Sequence, residues 1–385
     1  MKKLKKVLSY VLVAALASLL TVGALQSAAP DAEQQKLNDL SDLIQERFIG
    51  EADPTAMHDA AAAAMVASLG DRWSYYISAA DYASYEAQMK NAYVGVGITI
   101  ALREDGYLDI LKVTPGAPAE AAGIRAGDIL KAAAGEDCAA LGLSGTQELV
   151  RGEEGTTVNL TVERGGEALT LEVRREFFEV PVVESQMLDG NIGYVKILNF
   201  DTRCAEETIA AIEARIAEGA EMLLFDVRNN PGGYKHELVK VLDYLLPEGP
   251  LFRSESYDGT TEVDESDAAC LELPMAVLAN GESYSAAEFF AAALREYGVA
   301  PIIGEKTVGK GYFQQTYRLP DGSAVGLSTG RYSTPDGVNL AGVGLEPDTP
   351  VEVDEDTFRA IYTGTLAPMD DPQILAAINV LKTPE

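Results

Sequence analysis

Two apolar runs constrain this chain more than any other feature: residues 222–227 and 275–278 each read as a short buried strand ending in a tight turn. The first turn is Arg228-Asn229-Asn230-Pro231-Gly232-Gly233. The second is built of small residues, carries Ser285 and opens into a helical pattern over 286–297. A strand, a tight turn and a helix lift a serine hydroxyl clear of its neighbours, so Ser285 is a candidate nucleophile, with Ser283 the fallback. Ser285 with Glu288 three positions on also reads as a capping box, and the two roles are compatible. Strand-like residues 192–197, an amphipathic helix over 205–218 and a short strand at 300–303 alternate around these runs. That alternation predicts an α/β core with a largely covered sheet.

A serine hydroxyl needs a base, and the chain has only two histidines. His58 falls in an N-terminal helical region. His236 follows the glycine turn, with only Glu237 nearby to orient it, and defines a serine and histidine esterase as one alternative. A lysine serves if burial disfavours its ammonium form and brings its pKa toward working pH. Lys310 stands between Gly309 and Gly311, two residues that hold one side chain in a defined place. Lys306 is its nearest competitor.

Taken together, Ser283-Tyr284-Ser285-Ala286-Ala287-Glu288, Gly309-Lys310-Gly311 with Gln314, and Asp226-Val227-Arg228-Asn229-Asn230-Pro231-Gly232-Gly233 resemble the active-site segments of the carboxyl-terminal processing proteases. These are tail-specific serine endopeptidases with a PDZ domain, peptidase family S41. Leu69-Gly70-Asp71-Arg72-Trp73-Ser74-Tyr75-Tyr76, Tyr332-Ser333-Thr334-Pro335-Asp336-Gly337 and Gly344-Leu345-Glu346-Pro347-Asp348 resemble further segments of the family. The resemblance implies Ser285 as nucleophile, Lys310 as base, Gln314 as the residue orienting the lysine, and an acyl-enzyme route without metal or cofactor. It also implies an oxyanion hole at Gly232 and Gly233, with Ala286 as second donor. The chemistry explains the glycines, since a backbone N–H reaches a developing oxyanion only where no side chain intervenes. One departure stands out: a tyrosine, Tyr284, directly precedes the presumed nucleophile. It is the one hint toward a different class, a PDZ peptide-binding scaffold without catalysis.

Residues 92–176 read as that PDZ domain, β-rich with short helices. Tyr93, Val94, Gly95, Val96, Gly97 and Ile98 form a glycine-broken loop entering a strand. Such a loop presents backbone N–H groups to a C-terminal carboxylate while the strand edge pairs with an extended peptide. The expected partners are protein or peptide substrates with apolar C-termini.

The remaining boundaries follow from composition and periodicity. Lysines within the first six residues and an uncharged, mainly apolar run over 7–25 make residues 1–29 a signal peptide or membrane anchor, with Ser27-Ala28-Ala29 offering small residues for cleavage. The body is thus expected outside the cytoplasm, secreted or anchored to the cell membrane by that segment alone. Residues 31–91 form an N-terminal helical region, with Leu37, Leu40, Leu43, Ile44 and Phe48 on one face, an alanine-rich helix from Pro54 to Leu69 and a third helix over 79–89. Its apolar faces pack on the body or on a second copy; the second is favoured, giving a homodimer, because helical arms dimerise some family members. Residues 177–350 form the α/β serine protease core and 351–385 a C-terminal segment ending in a helix. A formal charge of −30 excludes nucleic acid and docking of the body on anionic lipid. Cys138, Cys204 and Cys270 are odd in number and far apart, so neither a disulfide framework nor a metal cluster is indicated. The expectation is a multidomain α/β extracytoplasmic serine endopeptidase.

Overall fold

The computed structural model describes residues 32–383, so the apolar run at 7–25 and the small residues at 27–29 lie outside it. Within those residues the chain divides after Gly70. The smaller unit contains two helices, Ala32–Arg47 and Pro54–Ala67. Asp53 caps the second, its carboxylate accepting the Thr55 N–H at 2.8 Å ahead of a proline at the first helical position. Leu40, Leu43 and Phe48 are exposed.

The helical region drawn over 31–91 is itself divided, because Asp71 onward belongs to the larger unit. Tyr75–Ile77 is a strand paired antiparallel with Ala324–Ser333, and the third helix is the shorter Tyr82–Met89. A partner some 250 positions away leaves no trace in local periodicity. The strand Ala324–Ser333 also pairs with Tyr312–Arg318 and with Gly249–Ser256, whose other neighbour is Thr261–Ser266.

The PDZ domain has its own core. Ile98–Leu102, Leu108–Val113, Ile129–Ala133, Thr157–Arg164 and Glu167–Arg174 form one antiparallel sheet in that order. Leu108, Ile110, Leu130, Leu160 and Val162 pack beneath it with Val96 and Cys138. Ala92–Gly95 and Glu176–Glu179 pair antiparallel where the chain enters and leaves the domain.

The protease core is a six-stranded sheet in the order Val183–Leu188, Ile192–Ile197, Met222–Asp226, Met275–Ala279, Ile302–Gly304, Thr349–Pro350, parallel except at the first pair. Its strands alternate strictly. Leu223, Phe225, Met275 and Val277 join the cluster containing the helices Cys204–Ala217, Lys235–Leu245 and Ala286–Glu296, whereas Leu224, Ala276 and Leu278 join Ile374, Ala377 and Ile378 of the helix Pro372–Lys382. Both faces are covered, so these strands read as unbroken apolar runs. Candidate groups collect at the carboxyl ends of the parallel strands, where an α/β sheet leaves an open crevice.

The C-terminal helix is tied to that edge by Arg228, just beyond Met222–Asp226. Its buried guanidinium pairs with Asp226 at 2.6 Å and with Asp371 at 2.8 Å, and donates to Gln373 Oε1 at 2.8 Å. Burial opposes the Asp226 carboxylate, but Arg228 outweighs it and holds the carboxyl below its ordinary range. Replacing Arg228 with methionine leaves two buried carboxylates uncompensated, and urea unfolding is expected to register a loss of about 3–5 kcal/mol.

Candidate active site

Ser285 has φ 58° and ψ −127°, a conformation that a residue with a side chain adopts only under strain. The neighbouring glycine turn permits it. A Cβ on Gly232 would lie 2.6 Å from Ser285 Cβ and 2.9 Å from Ala286 N. The two turns are laced together: Tyr284 N–H donates to Asn230 O at 3.1 Å, and Asn229 N–H donates to Asn280 Oδ1 at 2.9 Å. Ser283 belongs to this lacing, since its buried hydroxyl donates to Val227 O at 2.8 Å and accepts the Asn280 N–H at 3.0 Å.

The cap and the hydroxyl are separate. Glu288 Oε2 accepts the Ser285 N–H at 3.0 Å, while Ser285 Oγ lies 2.8 Å from the phenol of Tyr332. Glu288, fully buried, also accepts the N–H of Lys310 at 2.9 Å, the N–H of Gly309 at 2.7 Å and the hydroxyl of Thr307 at 2.5 Å. One carboxylate therefore clamps the lysine loop to the start of the serine helix. Burial still raises its pKa, against the pull of those donors.

Lys310 needs both flanking glycines. A Cβ on Gly309 would come within 2.8 Å of Gly344 N, and one on Gly311 within 2.5 Å of Ala341 N. Its Nζ stands 4.7 Å from the centre of the Trp73 ring and 5.8 Å from that of Tyr284. Burial brings its pKa down to about 8; Asp71 and Glu288 pull the other way and Arg72 assists. Ser285, Ala286, Gly232, Gly233, Lys310 and Gln314 line one cavity of about 900 Å³ with Tyr332 and Tyr284. Among the described residues, no hydrogen bond joins Ser285 Oγ to Lys310 Nζ. Gln314 is likewise turned elsewhere, its Nε2 donating to Ser328 Oγ at 2.9 Å and to Tyr312 O at 3.2 Å.

The glycine turn divides its two amides. Gly232 N–H is spent on Asn230 Oδ1 at 2.8 Å. Gly233 lies against Phe200, where any Cβ would approach within 2.3 Å of a carbonyl carbon, and Tyr234 N–H donates to Phe200 O at 2.7 Å. The competing bases are otherwise engaged. Lys306 makes an exposed ion pair with Glu346 at 2.6 Å. His236 borders the cavity but is exposed and faces Glu237 at 3.3 Å, and His58 is exposed on its helix. Trp73 and Tyr332 were not singled out as site residues from sequence. The tryptophan is the only one in the chain and lies inside the 69–76 motif, a signal that pointed toward it.

In the PDZ domain, Tyr93, Val94, Gly95, Val96, Gly97 and Ile98 line a second cavity of about 590 Å³ with Gln147 and Phe178. Gly97 has φ 80°, and a Cβ there would lie 2.2 Å from that of Ala117. Thr114 N–H donates to Gly97 O at 2.9 Å and Ala119 N–H to Val96 O at 2.8 Å, which fixes the loop.

Comparison with known proteins agrees with this architecture. The model of peptidase family S41 matches residues 191–351 and that of a PDZ domain residues 110–164. The carboxy-terminal processing protease CtpA of Bacillus subtilis is 30% identical over 335 residues, spanning 86% of this chain and 72% of that protein. Two solved structures share the fold. A putative S41 protease from Bacteroides fragilis has a TM-score of 0.60 at 19% identity, covering 92% of this chain and 97% of its own. A photosystem II D1 C-terminal processing protease has a TM-score of 0.52 at 24% identity, covering 90% and 100%. The chain therefore belongs to peptidase family S41, among the serine proteases of the carboxy-terminal processing type that carry a PDZ domain.

Proposed function

We propose that the protein is an extracytoplasmic endopeptidase that cleaves polypeptides through a Ser285–Lys310 dyad after its PDZ domain has engaged their C-terminal tails. The observation that carries the reading is the shared cavity: a serine in a strained turn and a lysine lowered to about 8 by burial, joined through Glu288. The Ser285 rotor leaves Tyr332 and its proton passes to neutral Lys310 Nζ as Oγ bonds to the scissile carbonyl carbon. The N–H groups of Gly233 and Ala286 receive the oxyanion. The Gly232 amide serves the turn instead, through Asn230. The lysine then gives its proton to the departing amine. A water, deprotonated by the same nitrogen, bonds to the acyl carbon as the Oγ–C bond breaks, and the lysine returns the proton to Ser285 Oγ; to orient the lysine through these steps Gln314 first leaves Ser328 Oγ. No metal or cofactor enters.

Neither alternative reading has comparable support. Tyr284 packs on Trp73 at 5.6 Å and forms part of the lysine surroundings, so it offers no ground for an inactive scaffold. An esterase using His236 would rest on an exposed ring whose neighbour Glu237 already accepts the Ala205 N–H at 2.7 Å.

The pH dependence follows from the sign of the lysine shift. Below its pKa Lys310 is charged and accepts no proton, so kcat/KM should rise as pH increases through about 8. Lys310→Arg stays charged at every working pH and should lose about 10³-fold or more, while Lys306→Arg remains active. Full activity in Lys310→Arg would end the dyad model.

Tail capture draws binding energy from a part of the substrate remote from the scissile bond. Polypeptides with free apolar C-termini should be cut faster than the same chains amidated. Gly97→Leu should narrow that difference, because any side chain there meets Ala117. Equal rates for both tails in the wild type would make the PDZ domain a structural or regulatory part.

Membrane association, on this reading, comes from residues 7–25 and not from a body of such negative charge, and the exposed apolar residues of the N-terminal helices pair two copies. Deleting the chain through Ala29 should yield an active enzyme that stays in the supernatant. Its continued sedimentation with membranes would contradict this targeting.

A further inference from the structure

The aromatic residues around Lys310 lie outside the bond-making steps, yet they determine what the lysine can do. Trp73 and Tyr284 have ring centres 5.6 Å apart, and Nζ stands over both. Tyr284 borders the Ser285 cavity, whereas Trp73 is not among the residues that line it. The backbone that carries the tryptophan is held. The main-chain N–H of Trp73 donates to Asp71 Oδ1 at 3.1 Å, Ser74 Oγ donates to Asp71 Oδ2 at 2.6 Å, and Ser328 N–H donates to Ser74 Oγ at 3.1 Å. The strand that follows, Tyr75–Ile77, pairs with Ala324–Ser333, which also carries Tyr332.

Resting on the dyad reading, we propose that Trp73 is a positioning residue for the base: with Tyr284 it forms an aromatic seat that fixes Lys310 Nζ and keeps water from it.

Two effects of such a seat oppose each other. A ring face attracts a cation. Exclusion of water disfavours one. The charged neighbours do not settle the contest alone: Asp71 and Glu288 favour the ammonium and Arg72, 4.3 Å from the Trp73 ring centre, disfavours it. The lysine nevertheless lies below its ordinary value with burial the first cause, and the two rings, at 4.7 and 5.8 Å from Nζ, supply part of that burial. Opening the seat should therefore raise the pKa of the base, where a merely structural tryptophan would lower activity equally at every pH.

The test compares wild type, Trp73→Phe and Trp73→Ala as full chains, with kcat and KM measured from about pH 6 to about pH 10. Trp73→Ala should move the acid limb upward by about one pH unit, with activity largely restored at high pH and KM little changed. Trp73→Phe keeps a ring and should stay close to wild type. An unshifted limb, or a loss of one size at every pH, overturns the proposal. A second measurement guards against misfolding of the variants. Because Trp73 is the sole tryptophan, its emission in the wild-type protein should titrate at the acid-limb midpoint, and the step should vanish in Lys310→Met. A flat trace, or the same step in Lys310→Met, also overturns it. Full activity in Lys310→Arg would remove the dyad while leaving the emission step in place, so the two failures are distinguishable.

Discussion

The candidate site depends on one buried carboxylate. Glu288 receives four donors, from Ser285 and Thr307 to Gly309 and Lys310, and so joins a helix start to a loop with which it shares no secondary structure. A carboxylate without partners at that depth would be costly, and truncating it would release the serine turn and the lysine loop together. The flanking glycines are the steric side of the same constraint. Gly232, Gly309 and Gly311 each stand where a Cβ would strike neighbouring atoms within 3 Å, so the loops approach to hydrogen-bonding distance only because these positions are bare.

The environment of the lysine combines opposing influences. Two carboxylates favour its charged form and one guanidinium disfavours it; burial decides the outcome and leaves the group near 8. That value sits close enough to physiological pH for both protonation states to be accessible, as the proposed exchange of a proton with serine and leaving group requires. The serine, meanwhile, hydrogen-bonds the neutral Tyr332 phenol, whose own pKa burial drives upward. Tyr332 N–H donates to Gly311 O, so the strand that carries the phenol is fastened to the loop that carries the lysine.

Much of the fold is legible in the sequence. Met222–Asp226 and Met275–Ala279 read as buried strands because a parallel sheet covered on both faces requires apolar residues at every position. The serine turn, the paired glycines around Lys310 and the glycine-broken loop that enters the PDZ domain are marked by residue types that few other conformations demand. The third helix came out shorter than its periodicity suggested, and the strand Tyr75–Ile77 was missed inside a region read as helical, since its partner lies far along the chain.

The sequence by itself determined the alternation of elements, the α/β class, the segments that carry candidate chemistry and the resemblance to a protease family, because these reside in local period, turn chemistry and residue order. Only the tertiary structure decided which hydroxyl is committed to the fold and which opens on the cavity, which lysine is an exposed ion pair and which is buried, and which glycine amide is already spent on Asn230. It also brought Trp73, from a segment before the PDZ domain, against a lysine more than two hundred positions later. The physical reason is that burial and hydrogen-bond satisfaction are properties of neighbours in space, and no spacing along a chain encodes the water that those neighbours exclude.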